Sequence, residues 1–129
     1  MAAPAIKKIL CIEDEPDIQT VARFALEKIG GLQVRICGSG QEALQEVAAF
    51  DPDCILLDVM MPGMDGPTTL AALRQLPGCA TIPVVFMTAK VQPGEVAHYK
   101  ALGAIGVIPK PFDPMKLAST LRQLLESPS

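Results

Sequence analysis

Apolar positions fall along this chain in two alternating rhythms. Short, nearly unbroken runs at residues 6–12, 32–37, 53–58, 82–87 and 105–108 have the length of strands and are too short for helices. Between them, apolar residues return every three or four positions. Ile18, Val21, Ala22, Ala25 and Ile29 form one helical stripe, with Pro16 in its first turn and Gly30-Gly31 at its end. Ser39 and Glu42 have capping-box spacing ahead of a helix with Leu44, Val47 and Ala48 on one face. Leu70, Leu73 and Leu76 mark a third helix. Residues 91–102 give a fourth, weakened by Pro93 and Gly94, and Asp113-Pro114 opens a fifth with Leu117, Leu121, Leu124 and Leu125.

Five strand–helix pairs in strict alternation predict an α/β fold, a doubly wound five-stranded parallel sheet with helices on both faces. The run Cys54-Ile55-Leu56-Leu57 agrees, because a central parallel strand is apolar on both sides. Pattern alone leaves the strand order open.

Composition narrows the function. The 129 residues suit a single domain over 1–129, its core at about 6–126, with Ser127-Pro128-Ser129 reading as a linker. Half the chain is apolar, mostly aliphatic, with no Trp and one Tyr, which suits helices packed on a buried sheet. Net charge is only -3 and no basic stripe is present, so no nucleic-acid partner is expected. No charge run suggests a membrane surface, no segment has spanning length, and the first eight residues lack the apolar run of a signal peptide; a cytoplasmic location is expected. Cys11, Cys37, Cys54 and Cys79 form no CxxC pair and read as buried reduced thiols.

In open α/β sheets the working residues lie past the carboxyl ends of the strands. Glu13-Asp14-Glu15 follows the first strand, the third ends on Asp58, Thr88-Ala89-Lys90 follows the fourth, and Pro109-Lys110-Pro111 the fifth. If the first and third strands are neighbours, Glu13, Asp14 and Asp58 converge. Crowded carboxylates repel unless something positive sits among them, and a hard divalent cation answers that need. Lys110 adds a point charge and Thr88 a hydroxyl. No GxxxxGK[ST] or GxGxxG loop binds a nucleotide here, so a phosphoryl group must arrive on another molecule; a carboxylate accepting it gives an acyl phosphate. Blander readings stand beside these. Asp58 could be a strand-end cap, Glu13-Asp14 an ordinary acidic helix start, Lys110 a solvated loop charge and Thr88 an N-cap. His98 reads as a surface residue.

Taken together, Glu13-Asp14, Leu57-Asp58-Val59-Met60-Met61-Pro62-Gly63-Met64-Asp65-Gly66, Met87-Thr88-Ala89 and Lys110-Pro111-Phe112 resemble, in order and spacing, the receiver domain of the two-component response-regulator family. The resemblance covers essentially the whole chain. It implies a flavodoxin-like sheet of order 2-1-3-4-5, which puts the first strand beside the third. It implies Asp58 as phosphoacceptor, and Mg2+ (or Mn2+ as a substitute) on Asp14, Asp58 and the backbone carbonyl of Met60, with Glu13 acting through a water. Thr88, with Ala89 beside it, and Lys110 would contact the phosphoryl group, and the Lys110–Pro111 bond would be cis.

The implied partners are a sensor histidine kinase or histidine phosphotransfer protein as donor, and a downstream protein or fused output domain on the 91–126 face. The implied activity is self-catalysed phosphotransfer and dephosphorylation, with no other enzymatic role. The chain departs from the family pattern in two respects. Val107 stands where the family has an aromatic residue three before the lysine. Met60 and Lys90 stand where side chains flank the attacking water, which predicts a long-lived acyl phosphate. A phosphorylation-independent pseudo-receiver acting as an interaction module is the alternative function. An aspartyl-phosphate phosphatase would carry an acid at position 60, and the acidic first loop would repel a flavin phosphate.

Overall fold

A computed structural model of the chain describes residues 6–126; the expectations for the first five residues and for the linker at 127–129 lie outside the described residues. Five parallel strands, β1 (Lys8–Ile12), β2 (Gln33–Cys37), β3 (Cys54–Asp58), β4 (Val84–Thr88) and β5 (Gly106–Pro109), form one sheet of order β2-β1-β3-β4-β5. Strands β1 and β3 are therefore neighbours, with Ile12 opposite Leu57. All five residues of β3 and of β4 are buried, as their unbroken apolar runs require of strands covered on both faces.

Helices α1 (Pro16–Arg23), α2 (Gly40–Phe50), α3 (Gly66–Arg74), α4 (Pro93–Ala101) and α5 (Leu117–Glu126) connect and follow the strands. The two faces of the sheet hold separate cores. On one, Leu10, Ile12, Leu57 and Phe86 pack with Val47 and Phe50 of α2, Leu70 and Leu73 of α3 and Tyr99 of α4. On the other, Ile9, Leu56, Val85 and Met87 pack with Ala22 of α1 and Leu117 and Leu121 of α5. Among the described residues, no helix is long and apolar enough to cross a membrane.

Several local expectations shift. The first helix does not hold a regular 3.6-residue period: α1 widens into a π-helical segment, Phe24–Ile29, with Gly30 N–H donating to the carbonyl of Ala25 at 3.0 Å. The wider turn lets Ala25 and Leu26 both face inward, while Val21 and Ile29, placed on the apolar stripe by spacing, lie on the surface. In α2 the buried face is Ala43, Val47 and Phe50; Leu44 is half-buried and Ala48 exposed. Ser39 caps α2 by accepting from Glu42 N–H at 3.1 Å, but Glu42 accepts from Gly38 N–H at 2.7 Å, one residue upstream of the usual reciprocal partner. Pro93 starts α4 at a position where its missing N–H costs nothing. Helix α5 begins at Leu117, because Asp113 closes a turn by accepting from Met115 N–H at 2.9 Å.

All four cysteines are free and buried. Burial pushes the thiols of Cys11, Cys37 and Cys54 up to about 12, so they stay protonated. Cys37 lies close to Glu42 and Glu46, but Glu42 is engaged by Gly38 and Glu46 by Arg35 at 2.9 Å.

Candidate functional site

The site assembles at the carboxyl edge of the sheet, where β1, β3, β4 and β5 end side by side. Carboxylate oxygens of Glu13, Asp14 and Asp58 lie within 4.8 Å of one another. Glu13 and Asp58 are buried, Asp14 half-buried. Helix α1 starts at Pro16 and turns the chain away immediately after the acidic triplet. The loop is pinned from three sides. Glu13 N–H donates to the Cys37 carbonyl at 3.0 Å, Glu15 N–H donates to Glu13 Oε2 at 3.0 Å, and Gln19 Nε2 donates to the Glu13 carbonyl at 2.6 Å.

Asp58 ends β3 and is 2 % exposed. Burial, then the charge of Glu13, raises its pKa to about 6; the ammonium of Lys110 and the N–H of Met60, at 3.4 Å from Oδ1, pull the other way and only partly offset this. Lys110 Nζ sits 2.9 Å from Glu13 Oε1 and 3.3 Å from Asp58 Oδ1. Its burial alone would lower its pKa, but the bonds to Glu13 and Asp58 outweigh that and hold it raised. A lysine side chain only 16% exposed and shared by two acids is not a solvated loop charge. The Lys110–Pro111 bond is cis.

The remaining Asp14 Oδ1 is buried and has no hydrogen-bond partner. A carboxylate oxygen left so among two further carboxylates, with one lysine to share, is the donor set a hard divalent cation takes. The residues present fit such an ion.

Thr88 ends β4, is buried, and accepts from Lys90 N–H through Oγ1 at 3.1 Å. It is not the N-cap of α4, which is Gln92. Ala89 and Lys90 are exposed beyond it, and the Met60 side chain is exposed in the loop after Asp58. That loop is shaped by Gly63, whose φ of 78° favours glycine, and by Gly66, where an added Cβ would lie 2.7 Å from the Asp58 carbonyl and 2.8 Å from Val59 Cα. Val107 is half-buried in β5, opposite Phe86 of β4, and packs on the core that holds Tyr99. His98 is exposed.

Three features escape a reading of strand ends. Glu13 holds the lysine directly. Gln19 clamps the acidic loop from a full helical turn inside the chain. The buried rings of Phe86 and Tyr99 stand with their centroids 5.2 Å apart. Only Gln19, one turn into a helix that starts beside the acids, carries a signal that spacing could have supplied.

A doubly wound parallel sheet that gathers three acids and a lysine past its carboxyl edge defines the class: a flavodoxin-like α/β domain with a charged pocket at the strand ends. A family model described as response regulator receiver domain matches residues 9–122, and the chain belongs to that family, a family of two-component phosphoacceptor signalling. Its structure is similar to that of chemotaxis protein CheY4 of Vibrio cholerae, at a TM-score of 0.85 and 31% identity over 93% of this chain and 99% of that one. It is also similar to the signal receiver domain of a signal transduction histidine kinase from Syntrophus aciditrophicus, at a TM-score of 0.78 and 34% identity over 92% and 89% of the two chains. Among curated relatives, the alkaline phosphatase synthesis transcriptional regulatory protein PhoP of Bacillus subtilis is 34% identical over 119 residues, 92% of this chain and 48% of that protein. The DNA-binding response regulator MtrA of Mycolicibacterium smegmatis is 33% identical over 119 residues, 92% of this chain and 50% of that protein. The chain spans about half the length of these relatives.

Proposed function

We propose that this chain is one receiver domain over 1–129, core 6–126, in which Asp58 takes a phosphoryl group from the phosphohistidine of a sensor histidine kinase or histidine phosphotransfer protein. The observation that carries this reading is the buried, partnerless Asp14 oxygen beside Glu13 and Asp58, with Lys110 bridging the latter two. An Asp58 oxygen forms the new bond to phosphorus as the phosphorus–nitrogen bond breaks, and the imidazole leaves with that electron pair. With a pKa near 6, Asp58 is mostly ionised at neutral pH and needs no base.

Asp14, Asp58 and the Met60 carbonyl would hold Mg2+ (or Mn2+), with Glu13 acting through a water. The ion supplies charge neutralisation for the crowded acids and the incoming phosphate. Lys110 pairs with one phosphoryl oxygen, and Thr88, with Ala89 beside it, binds another. The chain catalyses its own phosphorylation and dephosphorylation and acts on no other substrate. The location is cytoplasmic, and output passes through the 91–126 face to a downstream protein or fused domain. The reading assigns no nucleic-acid contact to these residues, in keeping with their net charge of -3.

Titration with Mg2+, followed by the amide signals of residues 13, 14, 58 and 60, tests the ion site. Asp14→Asn is expected to weaken binding by more than about tenfold, the size of loss usual even for an outer-sphere partner. Unchanged affinity in Asp14→Asn would remove Asp14 from the site.

A further inference from the structure

Phe86 sits two residues before Thr88 on β4, so the two occupy positions on the same face of the strand. Its ring is fully buried and has two neighbours of different kinds. On one side lies the start of α3, where a Cβ added to Gly66 would come within 3.0 Å of Phe86 Cε1 as well as 2.7 Å of the Asp58 carbonyl. On the other side lies Tyr99 of α4, with ring centroids 5.2 Å apart and planes inclined at 57°. Tyr99 is itself 8% exposed. Its carbonyl accepts from Leu102 N–H and Ala104 N–H, which ties it to the turn that leads into β5. Across the sheet, Phe86 pairs with Val107, a side chain too short and too stiff to take the place of a ring.

The phosphoacceptor loop and α4 thus touch the same buried ring. A tilted aromatic pair in a close-packed core has few alternative arrangements, so a displacement on one side of Phe86 cannot be absorbed by a local gap. We propose that the Phe86–Tyr99 pair couples the Asp58 loop to α4, so that phosphorylation re-seats α4 as a body through Tyr99. The coupling rests on the phosphoacceptor reading above. It places the responding ring on α4, outside the strand that carries Val107.

Tyr99 is the single tyrosine of a chain without tryptophan, so emission excited in the tyrosine band reports this ring alone. The full chain is loaded with Mg2+ and a small acyl phosphodonor, intact mass recording occupancy at Asp58, while Tyr99 emission and the amide shifts of residues 93–101 are followed. In the parent chain both are expected to change with occupancy. Tyr99→Phe, which keeps the ring, should retain the α4 amide shifts. Tyr99→Leu should take up phosphate to the same occupancy yet lose most of those shifts. Full α4 shifts in loaded Tyr99→Leu, or a Tyr99 signal indifferent to occupancy in the parent, would overturn the coupling and leave the phosphoacceptor reading standing. Absence of any mass gain in the parent chain would instead remove that reading, and the coupling with it.

Discussion

At the scale of single residues, the site is a problem in charge. Asp58 carries a pKa near 6 because burial and Glu13 disfavour its charge more than Lys110 and the Met60 N–H favour it. A carboxyl held above its unfolded value stabilises the fold at low pH, and that contribution is lost as pH rises through about 6. In metal-free protein, the stability of the parent relative to Asp58→Asn should therefore fall by about 2–3 kcal/mol between pH 4 and pH 7.5, because a tenfold change in proton affinity on folding is worth roughly 1.4 kcal/mol. Denaturant unfolding of both proteins across that range checks this; a pH-independent difference would contradict it. The acids themselves are legible in the sequence, since strand ends in a parallel sheet are where side chains converge. The Lys110–Glu13 pair is not, because which acid a lysine chooses depends on ångström-scale geometry that spacing does not carry.

At the scale of elements, the apolar rhythm predicts every strand and helix, and it errs where packing overrides period. The stripe through Val21 and Ile29 assumes a regular helix that faces inward at both; Val21 is exposed on α1 itself, and Ile29 lies on the surface at the end of the π-helical segment that buries Ala25 and Leu26. Helix α5 starts later than Asp113-Pro114 suggests, because Asp113 satisfies the backbone with a turn before the helix begins. Gly66 shows the same principle at the site, where α3 can begin against the Asp58 carbonyl only without a side chain. Gly66→Ala should cost about 1–3 kcal/mol, typical of forced overpacking, and should slow phosphorylation of Asp58 by displacing its loop. Thermal unfolding alongside the rate of phosphate uptake measures both, and a neutral effect on each would show that the loop gives way freely.

At the scale of the whole molecule, the parallel order β2-β1-β3-β4-β5 turns four separate sequence fragments, at the ends of β1, β3, β4 and β5, into one pocket. Strand order is the step that hydrophobic pattern cannot supply, since any arrangement of buried parallel strands shows the same apolar runs; it comes from family resemblance. The order matters because only β1 beside β3 brings Asp14 and Asp58 within reach of a shared ion. The most direct measurement of the central claim is intact mass after incubation with Mg2+ and a small acyl phosphodonor, with Asp58→Asn and chelator controls in parallel. The parent chain should gain the mass of one phosphoryl group, and neither Asp58→Asn nor chelated protein should gain it. An unmodified parent chain, or equal modification of Asp58→Asn, would contradict the account.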